Sequence, residues 1–360
     1  MTATTPLIRV EGEDLIVANT PDRLELTGAP GSPYTRKMIG VLRYRHVPYS
    51  VFWGSGAIPE GYPVPRVRLL PTVFFPDGET GALVPVTDST PIIRRLETEI
   101  APRSVIPRDP ILGFLNDLIE DYADEWLTKA MFHFRWAHEA DATNAAPLLI
   151  YWGMNTAPEE MAETLGAEFA ERQIDRLSVV GSNSVTAETI ESSYARFIGI
   201  LDALIARKGY VLGARPSSAD FAIFGQLTQL AIVEPTSAAV THRVSQRVRA
   251  WVDLMDDLSG VQPKADDWFG ANDAREALAP LLAEIGRTYA PAMVANAQAV
   301  IAGEATFETE IDGRPWRQPV FRYQAKCLGW LRDGYGSLSG NERGAVNAVL
   351  TGTGCEPLFA

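Results

Sequence analysis

The sequence predicts a two-part fold, a small mixed α/β unit followed by a long all-α region, with a mostly helical C-terminal extension. Three observations carry this prediction. Residues 23–100 read as strand–helix–strand and then strand–strand–helix. From residue 110 to about 258, apolar residues recur at helical spacing. The last hundred residues return to helix around one short strand-like segment.

Residues 23–28 (RLELTG) alternate as a strand does, and Pro30-Gly31-Ser32-Pro33 punctuates a loop. Residues 34–46 can form a helix with Met38, Val41 and Leu42 on one side, and residues 47–52 (VPYSVF) look like a second strand. A Gly/Pro-rich insert, 54–65, comes before two further strand candidates, 69–75 (LLPTVFF) and 83–87 (LVPVT), around an Asp77-Gly78 turn. Asp88-Ser89 then opens a helical run, 90–99, with Ile92, Ile93 and Leu96 as its stripe. In the helical region, Ile111, Leu115, Leu118 and Ile119 keep helical spacing, as do Phe197, Ile200, Leu201, Leu204 and Ile205. Pro147, Pro158, Gly181, Gly209 and Pro235 are expected breaks. Beyond 261, a helix is expected over 275–301, a strand over 306–311 ending at Asp312-Gly313, and a helix over 323–331. The expected division is an N-terminal extension (1–22), an α/β domain (23–100), an all-α domain (108–260) and the extension (261–360).

Composition narrows the function. The chain has 360 residues, 46% hydrophobic and 21% charged, a globular balance that excludes global disorder. No apolar run reaches the length of a membrane span, and the N-terminus lacks a signal-peptide pattern. Two cysteines, Cys327 and Cys355, fit a reducing cytoplasm. The net charge of −13 supplies no basic face for nucleic acid. Residues 101–200 hold 16 acidic and 7 basic side chains and are read as a solvated helical surface. His133 and His138 stand five apart, about 140° around a helix, so they are not expected to chelate a metal together. The aromatic-rich end is expected to dock, with Cys327 buried and Cys355 more exposed.

Four patterns in order resemble the glutathione transferase family. They are LTGAPGSPYTRKM (26–38), LLPTVFF (69–75), VTDSTPIIRRLE (86–97) and YVLGARPSSADFAIFGQL (210–227). The resemblance implies a thioredoxin-like α/β domain followed by an all-α helical bundle. It implies that Ser32 is the catalytic serine, that Pro71 is the family's cis-proline, and that Asp88-Ser89 is its acidic-residue-plus-serine pair. Ser217 and Asp220 match a Ser/Thr-x-x-Asp box, read as a folding element.

The resemblance further implies glutathione as co-substrate, no metal, and a homodimer acting on a small hydrophobic electrophile in detoxification chemistry, by conjugation or by a lyase or isomerase step that uses glutathione as nucleophile. Pro71, Thr72, Asp88 and Ser89 would bind glutathione, its γ-glutamyl carboxylate at a helix start and its extended backbone beside Thr72. Tyr34, Tyr122 and Trp126 would line the co-substrate pocket. Ser32 would stabilise the thiolate, since a free thiol of pKa about 8.5 is mostly protonated at neutral pH. The competing expectation is a non-catalytic binding or scaffolding protein on the same fold.

Overall fold

The computed structural model describes residues 23–54, 58–100 and 102–360; the expected extension 1–22 lies outside the described residues. β1 (Leu24–Gly28) leads through a short loop into α1 (Pro33–Tyr44). Ser32 is extended and caps α1, and Pro33 sits in the first turn, where its fixed φ suits the helix and its missing N–H costs nothing. β2 (Tyr49–Trp53) runs parallel to β1, β3 (Thr72–Pro76) antiparallel to β1, and β4 (Leu83–Thr87) antiparallel to β3. The sheet order is β2-β1-β3-β4, and α2 (Ser89–Glu99) closes the unit.

Met38, Val41 and Leu42 of α1 and Ile92, Ile93 and Leu96 of α2 share one buried cluster with Leu24, Leu26, Val73 and Phe75 of the sheet. Tyr62, from the Gly/Pro-rich insert, meets Phe52 and Phe74 with ring centroids 5.1 and 4.8 Å away, and its hydroxyl donates to Glu25 at 2.6 Å. Two boundaries differ from expectation. β3 starts at Thr72 and not at 69, because the Leu70–Pro71 peptide is cis and turns the chain before the ladder begins. Asp88, not Ser89, caps α2: it takes φ 81° and ψ 117°, a strained backbone outside the left-handed region that Asp favours, and its carboxylate accepts the Thr90 N–H.

The helical part consists of α3 (Pro110–Tyr122), α4 (Thr128–Ala137), α5 (Glu139–Tyr151), α6 (Glu159–Ile174), α7 (Ala187–Lys208), α8 (Ser218–Thr228), α9 (Pro235–Val244) and α10 (Gln246–Met255). Single π-helical turns, Ala123–Leu127 and Gln229–Val233, join α3 to α4 and extend α8. Pro147 does not break the chain as expected; it lies inside α5, where α6 approaches so closely that a Cβ on Gly166 would sit 2.6 Å from the Ala146 carbonyl. α8 is buried along its whole length and packs on both α1 and α3. Its capping box is complete. The Ser217 hydroxyl accepts from the Asp220 N–H, and Asp220 accepts the N–H groups of Ser217 (2.9 Å) and Val211 (2.8 Å).

In the last hundred residues, the expected single helix divides at Thr288 into α11 (Ala271–Arg287) and α12 (Tyr289–Ala302). β5 (Thr306–Ile311) pairs with an unforeseen β6 (Arg314–Pro319) across Asp312-Gly313, both at positive φ as a tight hairpin turn requires. Pro315 and Pro319 hid that strand from the pattern, yet a two-stranded ribbon is all edge and accepts proline. α13 (Arg322–Ser337) and α14 (Gly340–Leu350) end the helical set. α11 lies on α7, while α13 and α14 lie on α3. Trp316 of β6 packs fully buried against Trp126, centroids 5.4 Å apart. Cys355, expected to be exposed, is buried with Sγ 3.2 Å from the Leu282 carbonyl. No helix among the described residues is long and apolar enough to cross a membrane.

Candidate functional site

Strand register assembles the candidate site. Thr27, Thr72 and Thr87 stand side by side across β1, β3 and β4. One end of the sheet therefore gathers the loop leaving β1, the turn entering β3 and the start of α2. Ser32, Leu70-Pro71 and Asp88-Ser89 come from these three segments. The Ser32 hydroxyl accepts the Thr35 N–H at 3.3 Å and reaches toward the Leu70 carbonyl at 3.5 Å. Two helix N-termini, of α1 and α2, start at this end of the sheet, and each brings unpaired N–H groups and a positive partial charge.

The loop before Ser32 is held by the helical part. Arg135 donates to the Gly31 carbonyl (3.0 Å), to Gln229 (2.7 Å) and to Glu234 (2.5 Å), and it is buried. Gln229 Nε2 and Arg36 Nε both donate to the Pro30 carbonyl at 3.1 Å. A Cβ on Gly31 would meet Leu149 and Trp152 at 2.5 and 2.7 Å, so a larger residue there would push the loop away from α5.

Thr72 is not a ligand-facing edge as expected. It is buried, paired with Thr27 and Thr87, and its hydroxyl is spent on the Leu69 carbonyl at 2.8 Å. The backbone facing Ser32 belongs to Leu70, on the other side of the cis peptide. Tyr122 and Trp126 are not pocket residues either. Both are core: Tyr122 packs between Phe197 and Tyr289, and Trp126 donates to Ser193 at 3.2 Å beside Trp316. Tyr34 remains half-buried at the domain junction and donates to the Asp124 carbonyl at 2.8 Å. Ser89 is nearly fully buried in the first turn of α2.

Beneath the site lies a charge cluster that sequence pattern alone assigns to solvent. Lys37 Nζ donates to Asp124 (2.6 Å), Glu120 (2.7 Å) and the Thr90 hydroxyl (3.3 Å). Arg94 bridges Asp117 (2.6 Å) and Glu120 (2.9 Å). Burial would discharge Lys37, but the two carboxylates outweigh it and hold its ammonium above the ordinary value. Burial likewise opposes ionisation of Glu120, and Arg94 with Lys37 overcomes it, leaving that carboxyl well below its usual range.

The C-terminal extension completes this region. Tyr323 donates to the second oxygen of Asp88. Tyr289 donates to Asp121, Gln324 to the Glu125 carbonyl at 3.1 Å, and Cys327 lies 3.8 Å from the Glu125 carboxylate. Burial pushes Asp124 up to about 6 and Glu125 up to about 7, and it pulls Lys129 down to about 8. Asp220 is pushed up to about 6 by the same cause. Acids raised in this way bind protons in the folded chain that the unfolded chain has already released. Stability is therefore expected to fall as pH rises from about 4 to 7, between the ordinary carboxylate values and the raised ones. Urea midpoints at pH 5 and pH 7.5 check this; a higher midpoint at pH 7.5 would contradict it.

Sequence reading missed Lys37, Glu120, Asp124, Glu125 and Tyr323. A signal existed in LIEDYADEWL (118–127), where the acids recur at four-residue spacing between large apolar side chains. Such a stripe needs either water or partners, and its partners lie as many as 202 residues away in sequence.

Comparison with known proteins matches the order of these parts. The family model "Glutathione S-transferase, N-terminal domain" matches residues 26–104, and "Glutathione S-transferase, C-terminal domain" matches residues 172–259. Among solved structures, the chain is similar to a glutathione transferase family member from Pseudomonas fluorescens with two glutathione bound. The identity there is 15%, over 66% of this chain and 89% of that one, with a TM-score of 0.40. It is also similar to a Tau class glutathione S-transferase from mango, at 18% identity over 71% and 96%, with a TM-score of 0.39. A third, a glutathione transferase from Pseudomonas putida with one glutathione disulfide bound per subunit, has 17% identity over 67% and 94%, with a TM-score of 0.39. A search of curated proteins finds no significant match. The chain therefore carries the N-terminal and C-terminal domains of the glutathione transferase family, in that order, over residues 26–104 and 172–259.

Proposed function

We propose that the chain is a serine-type glutathione transferase acting on a small hydrophobic electrophile. The observation that carries the reading is the meeting of the Ser32 hydroxyl, at the start of α1, with the backbone of Leu70 before cis-Pro71. The extended cysteinyl part of glutathione would pair with the Leu70 backbone. Its γ-glutamyl carboxylate would lie at the N–H groups opening α2, beside Ser89, and its ammonium at Asp88. The thiol then falls at Ser32. Because the Ser32 oxygen accepts from Thr35 and its proton has only the long contact to the Leu70 carbonyl, that proton can turn to donate to sulfur as the thiol releases its own to solvent, and the α1 dipole favours the anion. The thiolate attacks an electrophilic carbon, forming the carbon–sulfur bond while the leaving group departs with its electron pair.

In the same reading the protein is a cytoplasmic homodimer, with domains 23–100 and 108–260 and an extension, 261–360, that encloses the γ-glutamyl end of the site. Retention on immobilised glutathione together with turnover of a generic aryl halide supports the enzyme. Retention without turnover of a panel of electrophiles favours a binding protein on this fold.

One observation bears on glutathione affinity in both readings: Asp88 already has hydrogen bonds on both carboxylate oxygens, from Thr90 and Tyr323. If Tyr323 orients Asp88 for the ligand ammonium, Tyr323→Phe is expected to raise KM for glutathione about 3- to 10-fold with kcat unchanged. A lower KM would mean that Tyr323 competes with the ligand.

A further inference from the structure

Two of the four histidines in the chain meet one carboxylate in the helical domain, away from the residues assigned to glutathione. His133 is on α4 and buried. α4 stops at Ala137, and His138 is extended (φ −104°, ψ 127°) before α5 begins. That break cancels the 140° separation expected of a continuous helix. It turns the His138 ring back onto Phe134, stacked with centroids 5.5 Å apart and planes 20° apart, and toward His133. Glu191 of α7 approaches from the opposite side. Its Oε1 lies 3.1 Å from His133 Nε2 and 3.2 Å from His138 Nε2, and the three ligand atoms fall within 4.8 Å of one another.

We propose that His133, His138 and Glu191 form a binding site for a divalent transition metal of the zinc class, with water as the fourth ligand.

Four features support a site over a chance cluster. Zinc bonds to imidazole nitrogen and carboxylate oxygen are about 2.0–2.2 Å, so the edge between two ligands of a tetrahedron is about 3.3 Å. Both nitrogen–oxygen edges here are close to that value. His133 has the second-nitrogen partner that ligating histidines show: its Nδ1 is 2.8 Å from the Ser182 hydroxyl, which can accept an Nδ1–H and so leave Nε2 to face the centre. His138 Nε2 is buried, and although near Glu191 it has no aligned hydrogen-bond partner among the described residues. A buried nitrogen lone pair without a partner is costly, and a metal ion would remove that cost. Finally, the Glu191 side chain is 44% exposed, the His138 side chain 32% and the His133 side chain 2%, so the site opens to solvent at Glu191 and His138 and is closed at His133. Three protein ligands and one open position is the arrangement of zinc sites that carry a water.

The ion would join the α4–α5 junction to α7. α4 also carries Arg135, which holds the Gly31 carbonyl, so the metal would stiffen the helix that anchors the loop before Ser32.

The test uses the untagged full chain, stripped with chelator, dialysed against zinc chloride and measured by elemental mass spectrometry. One zinc per chain is expected, together with a raised melting temperature. With cobalt(II) substituted, visible bands of a four-coordinate centre are expected. His138→Ala and Glu191→Ala, both at partly exposed positions, are expected to weaken zinc about 100-fold or more while the apo protein keeps its melting temperature. Ser182→Ala is expected to weaken it about 10- to 100-fold by releasing the His133 ring. Failure of the wild-type chain to retain zinc, or equal binding by wild type and both ligand variants, overturns the proposal.

Discussion

Ser32→Ala is expected to lower kcat/KM on any accepted electrophile about 30- to 1000-fold. Losing one donor to a developing anion costs about 2–4 kcal/mol of transition-state stabilisation. The competing account of Ser32 is that it only caps α1, and removing a cap costs about 1 kcal/mol of stability. The two accounts separate because the hydroxyl divides its work. Its oxygen accepts from Thr35, which is the cap, while its proton has only the distant Leu70 carbonyl, 3.5 Å away, among the described residues. A variant with unchanged kcat and a lowered melting point would show that the cap is the whole role. Measuring turnover and a melt on one preparation decides between them.

Lys37→Met is expected to be the most damaging single change to stability, costing about 3–5 kcal/mol. The side chain is buried, and methionine fills similar volume, so packing contributes little to the loss. What remains is Glu120 and Asp124 facing each other without their shared cation. Against a total stability of about 5–15 kcal/mol, that is a large fraction. Adding Asp124→Leu to Lys37→Met removes one of the stranded carboxylates and is expected to recover part of the loss. Chemical denaturation of the wild type and both variants reads this coupling directly. A double variant no more stable than Lys37→Met alone would mean that the cluster acts through packing and not through charge.

The parts legible in the sequence are those whose determinants are local. Ser32-Pro33 capping α1, the Ser217–Asp220 box and the Asp312-Gly313 turn each lie within a few residues of chain. The misread parts depend on what packs from far away. The acidic stripe at 120–125 looked solvated because its partners Lys37, Arg94, Tyr289 and Cys327 are on other elements. His133 and His138 looked divergent because a helix break after Ala137 leaves only a weak trace in sequence. Tyr122 and Trp126 looked available to a ligand for the opposite reason. Aromatics in a helical region read alike whether the facing surface is empty or, as here, filled by Tyr289 and Trp316 of the extension.

The hydrogen bond between Asp88 and Tyr323 spans 235 residues, and that separation bears on how the protein is made. At about 5–20 residues per second, a ribosome needs roughly 12 to 47 s to add Tyr323 after Asp88. The sheet and its two helices can be complete well before then. During that interval Asp121 and Glu125 lack their later partners Tyr289 and Cys327, and the aromatic faces that later meet α12 and β6 are open to other chains. The nascent protein therefore carries unpacked faces through most of its synthesis, and final docking must follow release of the last helices.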